Sequence, residues 1–219
     1  MRSVRAVLFD LDGVLVESRE ATERVWRDWA GRNGIDEAEL LSVMHGVQSV
    51  EVIRALRPEL DAVAESEEVE GRQAEDLDGL RAIPGAAEAL GAVREDRVAV
   101  VTSATRPLAE ARLGAVGIRP PAVMVFAGDV ERGKPDPEGY LTAARRLGVD
   151  PAEALVVEDS PPGIEAGRAA GAATVGVTST HAAAELAAAD VVIGTLEELP
   201  RVLAREFEAS GVLRANDGH

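Results

Sequence analysis

Short aliphatic runs without polar interruption recur along this chain, and they constrain its fold more than any other feature. The first lies within residues 4–15 and leads into Asp10, and later ones cover residues 98–102, 122–126, 154–158, 173–177 and 191–193. Amphipathic stretches near residues 107–116, 137–147, 162–170 and 182–189 separate the later runs. Runs that do not alternate with polar residues indicate strands covered on both faces, and intervening helices indicate parallel strands. The sequence therefore predicts an α/β protein with a doubly wound parallel-sheet core.

Residues 17–81 do not follow this alternation of strands and helices. Their apolar spacing predicts helices throughout, near residues 18–32, 36–44, 49–57 and 59–75. Residues 14–17 and 81–85, the latter with a Pro-Gly pair, are the candidate hinges. We therefore expect an all-helical cap domain of residues 17–81, inserted into a core domain made of residues 1–16 and 82–219.

Composition excludes several classes of protein. The chain has no cysteine, which excludes disulfides, thiolate metal sites and a cysteine nucleophile. Its net charge of −16 argues against nucleic-acid binding, because such proteins carry a basic surface. No apolar stretch approaches the roughly 18 residues that span a membrane, and the N-terminus leads directly into the first strand. We expect a cytoplasmic protein, a monomer or weak dimer, that binds neither nucleic acid nor membrane.

Two carboxylates, Asp10 and Asp12, stand where the first aliphatic run ends, just before Gly13. Side chains two positions apart on a strand share a face, so both acids should point into one small volume. Like charges that close repel each other unless a metal ion or a proton relieves the repulsion. The pattern predicts one acid as nucleophile, one as proton carrier, and a divalent cation between them.

Further polar residues follow other predicted strands. Thr102 and Ser103 end the second run, Glu158 and Asp159 end the fourth, and Lys134 lies in the loop after the third. Lys134 is the only lysine among 23 basic residues, which suggests a need for a compact ammonium rather than a planar guanidinium. Ligands of open α/β sheets bind beyond the carboxyl ends of the strands. These segments should therefore converge on one site.

The chemistry of this predicted site favours phosphoryl transfer. Carboxylates, backbone oxygen and water form a hard oxygen site that suits Mg²⁺ rather than zinc. A transferring phosphoryl group needs its charge neutralised and its oxygens held, which a cation, one lysine and nearby hydroxyls can provide.

Four segments in this order resemble the motifs of the haloacid dehalogenase superfamily. They are Asp10-Leu-Asp-Gly13, the strand-ending Thr102, Gly133-Lys-Pro-Asp-Pro137 and Val157-Glu-Asp-Ser160. The resemblance covers essentially the whole chain, including a helical C1-type cap after the first motif. Residues 100–109 and 157–171 further resemble the sugar-phosphate and polyol-phosphate phosphatases, a subgroup related to β-phosphoglucomutase.

This resemblance implies a role for each residue. Asp10 would attack phosphorus and form a phosphoaspartate, and Asp12 would protonate the leaving alcohol and later deprotonate water. Mg²⁺ would be held by Asp10, the carbonyl of Asp12 and Asp159, with Glu158 close or coordinating. The phosphoryl oxygens would be held by Thr102, Ser103 and Lys134.

The cap would select the substrate, a small phosphorylated metabolite. Residues 44–49 resemble the substrate loop of related polyol-phosphate phosphatases, which makes His45, Gly46 and Gln48 candidates for substrate binding. Relatives often have an arginine where this chain has Gln48, so the inherited substrate is open.

The expected function is Mg²⁺-dependent hydrolysis of a phosphosugar or phosphopolyol. A hexose-phosphate mutase of the β-phosphoglucomutase type, with the same core residues, is the first alternative. A non-catalytic protein that binds a phosphorylated ligand is the second. A dehalogenase is disfavoured because dehalogenase relatives lack the second aspartate, which is Asp12 here.

Overall fold

The computed structural model describes residues 2–208 and 211–214. The strands, in chain order, are β1 (Arg2–Ser3), β2 (Ala6–Phe9), β3 (Val16–Glu17), β4 (Arg81–Ala82), β5 (Val98–Val101), β6 (Val123–Val125), β7 (Ala154–Glu158), β8 (Ala173–Val177), β9 (Val191–Ile193) and β10 (Phe207–Glu208). The α-helices are α1 (Arg19–Arg32), α2 (Glu37–Leu41), α3 (Ser49–Leu56), α4 (Ala62–Glu75), α5 (Ala86–Ala92), α6 (Arg106–Ala115), α7 (Glu138–Leu147), α8 (Pro161–Ala169) and α9 (Leu199–Glu206).

Six strands of the described residues form one sheet in the order β6-β5-β2-β7-β8-β9, and every neighbouring pair is parallel. The strand order runs outward from β2 in both directions, which is the doubly wound arrangement. The predicted fold class is therefore confirmed. Because β2 is central, the residues that follow it lie at the middle of the carboxyl edge of the sheet.

The sheet is covered on both faces, as its unbroken aliphatic strands require. Val7 and Phe9 of β2 pack in one apolar cluster with residues of α5, α6 and α9. Leu8 points to the opposite face and packs in a second cluster with Tyr140 of α7 and Ala166 of α8. Successive strand residues alternate between faces, so β2, β5, β6 and β7 contribute to both clusters, whereas β8 and β9 contribute to the first one only. The sheet therefore lies between two helical layers.

The inserted helices have an apolar core of their own. Trp29 of α1, Leu40 of α2, Ile53 of α3 and Val69 of α4 are completely buried in one cluster. Helix α4 begins at Ala62, later than predicted, because the Asp61 carboxylate accepts hydrogen bonds from the amides of the first turn. The four helices thus enclose an apolar cluster distinct from the two on the sheet.

A short antiparallel ribbon flanks the inserted helices, since Val16 and Glu17 of β3 pair with Ala82 and Arg81 of β4. We propose that this ribbon is the junction between a core domain of residues 1–16 and 82–219 and a cap domain of residues 17–81.

The prediction of a helix near residues 182–189 is wrong, because turns occupy that segment. Its backbone bonds are short-range, such as the Glu185 amide to the Ala182 carbonyl at 2.9 Å. Leu186 is its one completely buried apolar side chain. A segment this short depends on packing for helical stability, and high alanine content does not replace that packing.

A membrane-spanning helix is absent from residues 2–208 and 211–214, because none of their helices combines the necessary length and apolarity.

Replacing Ile53 with alanine should lower the free energy of unfolding by about 2–5 kcal/mol, the usual cost of a cavity in a packed core. Ile53 is 0% exposed in the helical cluster. Both tryptophans of the chain lie in α1, so tryptophan fluorescence during urea unfolding reports on these helices. The control Val63→Ala, at a side chain 53% exposed, should change stability by less than about 0.5 kcal/mol. Equal effects of the two changes would contradict this packing.

Candidate active site

The predicted site residues meet at the carboxyl edge of the sheet. Asp10 directly follows β2, Thr102 follows β5, and Glu158 and Asp159 stand at the end of β7. Lys134 comes from the loop between β6 and α7. All five side chains are buried, Glu158 completely. The parallel sheet thus gathers residues from four distant segments because their strands end at the same edge.

Lys134 lies between two carboxylates. Its Nζ is 2.5 Å from Asp10 Oδ1 and 2.6 Å from Glu158 Oε1. Burying an ammonium without partners would be strongly unfavourable, and two direct ion pairs offset that cost. Burial opposes the charge on Lys134, but Asp10 and Glu158 raise its pKa above the usual value. Lys134 therefore stays a cation beside Asp10.

Glu158 already has hydrogen-bond donors on both of its oxygens. Besides Lys134, Oε1 accepts a bond from the Tyr140 hydroxyl at 2.8 Å. Oε2 accepts bonds from the Asp159 amide at 3.0 Å and from both the amide and the hydroxyl of Ser160. Gly163 leaves room for this carboxylate, since a Cβ there would lie 1.8 Å from Oε1. Glu158 thus serves mainly as the buried counter-ion of Lys134 and an anchor for the start of α8.

The site has more carboxylates than ammonium groups, and this excess of negative charge affects the pKa values of the carboxylates. Burial raises the pKa of Asp10 to about 7, with Glu158 and Asp12 adding to the rise and Lys134 opposing it. Burial and the nearby Glu158 and Asp10 charges likewise raise the pKa of Asp159 well above its usual value. Burial disfavours ionised Glu158 too, but the ion pair with Lys134 dominates and lowers its pKa. The remaining negative charge favours a bound cation.

The donor set of this cluster fits Mg²⁺. Oxygens of Asp10, Glu158 and Asp159 all lie within 4.8 Å of one another. The cluster is buried and offers only oxygen, the ligand preferred by a hard divalent cation. Gly13 has φ +81° and a Cβ there would lie 2.1 Å from Asp159 Oδ2, so glycine lets the loop approach this carboxylate.

Asp12 is near enough for its charge to act on Asp10, but its own partners lie outside the Lys134 cluster. Its Oδ1 accepts a hydrogen bond from the Ser18 hydroxyl at 2.6 Å, and its Oδ2 lies 2.7 Å from Nη1 of Arg112. The side chain remains 30% exposed. Asp12 therefore faces the open part of the site while both its oxygens are oriented by neighbours.

The structure separates the two predicted hydroxyl donors. Thr102 is buried, and its Oγ1 accepts a hydrogen bond from the Ala104 amide at 3.1 Å, which leaves its proton available to a ligand. The Ser103 hydroxyl instead donates to the carbonyl of Gly46 at 2.9 Å. Its side chain thus connects the core to the inserted helices in this conformation.

A cavity of about 100 Å³ lies over these residues, with walls from both the core and the inserted helices. His45 and Gly46 line it, as do Asp10, Asp12 and Lys134. The His45 Nε2 is 3.5 Å from Glu23 Oε1, and burial lowers the pKa of this imidazole. Gln48 lines a smaller cavity that adjoins the main one at Thr102, Ser103 and Lys134. Its Nε2 donates to the Ala127 carbonyl at 3.4 Å. Of the three predicted cap residues, His45 and Gly46 border the main cavity.

Sequence reasoning missed Tyr140, Arg112 and Thr180. Tyr140 is the only tyrosine of the chain and Thr180 Oγ1 contacts the Asp159 carboxylate, but neither had a motif to mark it. Arg112 did carry a signal, because it stands four residues after Leu108 on the apolar side of α6. A charged residue on a buried helix face needs a partner, and here that partner is Asp12.

The raised pKa of Asp10 predicts a pH-dependent difference in stability. Between the ordinary value of 3.8 and about 7, the folded protein holds the Asp10 proton more tightly than the unfolded chain does. Asp10 therefore destabilises the metal-free fold increasingly as pH rises through that window. We therefore compare the free energy of unfolding of Asp10→Asn with that of the unsubstituted protein at pH 4 and at pH 8. The difference should change in favour of the variant by more than about 1 kcal/mol from pH 4 to pH 8.

Urea unfolding in EDTA at both pH values measures this gain. The exposed Asp78→Asn is the matched control and should show no such gain. A stability difference for Asp10→Asn that does not change with pH would contradict the electrostatic assignment.

Comparisons with known proteins show the family of this chain. Residues 4–171 match the family model of the haloacid dehalogenase-like hydrolases. Hexitol phosphatase A of Escherichia coli (strain K12) is 39% identical over 200 residues, which cover 89% of this chain and 93% of that protein. Validoxylamine A 7′-phosphate phosphatase of Streptomyces hygroscopicus subsp. limoneus is 36% identical over 206 residues, covering 89% and 95% respectively.

A solved structure with the same fold is CbbY from Rhodobacter sphaeroides in complex with phosphate. Its TM-score is 0.75 at 26% sequence identity, over 90% of this chain and 96% of that one. The family match spans most of the chain and includes the Asp10, Lys134 and Asp159 segments. The chain is an enzyme that belongs to the haloacid dehalogenase-like hydrolases.

Proposed function

We propose that the protein is a Mg²⁺-dependent phosphatase that hydrolyses a small phosphosugar or phosphopolyol through a phosphoaspartate on Asp10. The observation that carries this proposal is the pairing of Asp10 with Lys134 at 2.5 Å, inside a buried carboxylate cluster next to Asp12. The ammonium orients one oxygen of Asp10 and tempers its charge. It thereby reduces the repulsion between the buried carboxylate and an approaching phosphate dianion.

Two half-reactions follow from these positions. In the first, an Asp10 oxygen bonds to phosphorus, the ester P–O bond breaks, and Asp12 donates a proton to the departing alkoxide. In the second, Asp12 takes a proton from water as the water oxygen bonds to phosphorus. The bond between phosphorus and Asp10 then breaks and releases inorganic phosphate. Asp12 regains in the second step the proton it gave in the first.

Asp10, Asp159 and the carbonyl of Asp12 would hold Mg²⁺, with Glu158 beside them as the counter-ion of Lys134. When bound, the cation neutralises charge on the carboxylates and the phosphoryl oxygens. Lys134 supplies a positive charge next to Asp10, and the Thr102 hydroxyl is free to donate to a phosphoryl oxygen. Ser103 would join them once its hydroxyl leaves the Gly46 carbonyl.

A polyol or sugar suits the wall of the cavity that faces Asp12. Thr22, Glu70 and Gln73 line it, and among the described residues nothing uses the Thr22 hydroxyl proton, the second Glu70 oxygen or the Gln73 amide N–H groups. Such groups exchange hydrogen bonds with the hydroxyls of a neutral carbohydrate. The relatives named above are phosphatases of a hexitol phosphate and of a phosphorylated validoxylamine, which supports the same class. His45 and Gly46 border the remaining wall as candidate substrate contacts.

Replacing Asp10 with asparagine should abolish phosphate release, because an amide cannot act as the nucleophile. Phosphate release from p-nitrophenyl phosphate and from a panel of phosphosugars and phosphopolyols, with Mg²⁺ present, measures the effect. We expect a loss of at least about 10³-fold with an unchanged circular dichroism spectrum. Retained turnover would show that Asp10 is not the nucleophile.

The same panel tests the alternatives. Conversion of a hexose phosphate to its isomer without phosphate release by the unsubstituted protein would support the mutase instead. Tight binding of phosphosugars without any turnover would support a binding protein.

The variant Asp159→Asn should lose Mg²⁺ binding while it still folds. Because burial disfavours the ionised Asp159 carboxylate, the amide should raise the melting temperature in EDTA. Mg²⁺ should raise the melting temperature of the unsubstituted protein and have little effect on the variant. Glu158→Gln is the informative comparison, since Glu158 is saturated with other donors and its variant should keep most of the Mg²⁺ response. An equal Mg²⁺ response in the Asp159 variant would contradict this site.

A further inference from the structure

Arg112 is a buried cation that belongs to none of the four motifs. It lies on α6 of the core, and its side chain is 6% exposed. Its Nη1 is 2.7 Å from Asp12 Oδ2. Its Nη2 donates to Thr22 Oγ1 at 2.7 Å and to Gln73 Oε1 at 2.5 Å. The guanidinium therefore contacts Asp12, α1 and α4 at once.

The acidic partner of Arg112 is Asp12, which balances the guanidinium charge when it is ionised and still accepts a hydrogen bond through Oδ2 when its other oxygen is protonated. Thr22 and Gln73, its other partners, are neutral. A buried guanidinium is tolerated only when it is paired and hydrogen-bonded, so this pair is a strong constraint on both side chains. The planar fork of arginine also fixes direction, because its two terminal nitrogens point to different partners at set angles. With Nη2 held by two acceptors, the direction of Nη1 toward Asp12 is determined.

Ser18 completes the constraint on Asp12. It occupies the N-cap position of α1, yet its hydroxyl makes no capping bond and donates to Asp12 Oδ1. Arg112 holds the other oxygen. An aspartate that is 30% exposed would otherwise sample several rotamers. With both oxygens held, its carboxylate keeps one orientation beside Asp10.

We propose that Arg112 is the positioning residue for Asp12, and that it acts on the reaction only through that carboxylate. This inference rests on the proposed function, in which Asp12 moves the proton in both half-reactions. Arginine does not lose its proton in proteins, so Arg112 is not itself a proton donor to the leaving group. It fixes where the proton is given and taken, and small errors in such placement can cost about 10²-fold in rate.

Arg112→Ala tests this role. We expect kcat for a phosphopolyol to fall about 10- to 100-fold, with KM changed by less than about threefold, because the lost interaction orients a catalytic group. The matched control is Arg106→Ala, an exposed arginine on the same helix, which should leave both constants unchanged. Arg112→Lys should recover only part of kcat, since a point charge cannot reproduce the fork.

A purely structural arginine would not give the next two results. Millimolar guanidinium should restore part of kcat in Arg112→Ala and do nothing for Arg106→Ala or Asp12→Asn, whereas equal sodium chloride should restore none. In a background of Asp12→Asn, adding Arg112→Ala should change single-turnover phosphate release by less than about threefold, since the two act as one unit. If the alanine variant does not fold, Arg112→Lys takes its place in both backgrounds.

The inference is overturned if Arg112→Ala keeps its kcat, if its loss is equally large in the Asp12→Asn background, or if sodium chloride rescues as well as guanidinium. Failure of the proposed function gives a different signature. In that case Asp12→Asn itself retains full turnover, whatever the behaviour of Arg112.

Discussion

The buried ion pairs of Lys134 with Asp10 and Glu158 are the interaction on which the rest of the site depends. Three carboxylates converge below the cavity, and one ammonium lies between two of them. Isolated carboxylates in such a place would take up protons rather than stay charged. Lys134 favours the ionised form of Asp10, and the proposed Mg²⁺ would favour it further. Glu158, held by Tyr140 and the start of α8, fixes the lysine that makes this possible.

The inserted helices contribute the second half of the site. The core positions the charges, while α1 and α4 bring polar groups over them. Asp12 stands where the two meet, with one oxygen bound to Ser18 and the other to Arg112. In the proposed reaction, Asp12 passes a proton to the leaving alcohol and later takes one from water, and its place at this junction suits that role. Under the proposed function, the core would hold the phosphoryl group and the inserted helices would bind the hydroxyls of the substrate.

Much of this arrangement was predictable from the sequence, because strand ends and motif residues are local signals. Unbroken aliphatic runs predict the strands that lead to Asp10, Thr102 and Glu158, and the edge rule for parallel sheets brings these residues together. What the sequence could not give depends on neighbours far along the chain. Helical propensity alone did not account for turns at residues 182–189, and spacing could not reveal that Arg112 reaches Asp12. Nor could it show that Gln48 donates to the Ala127 carbonyl and lines the smaller, adjoining cavity.

The most direct test of this account is the identity of the residue that carries the phosphoryl group during turnover. Acid quenching in the steady state with a phosphopolyol, followed by peptide mass spectrometry, locates that group. The account predicts one added phosphoryl group on the peptide containing Asp10, lost when turnover is complete. A phosphoryl group on another residue, or steady turnover with no phosphorylated enzyme trapped at any quench time, would contradict it.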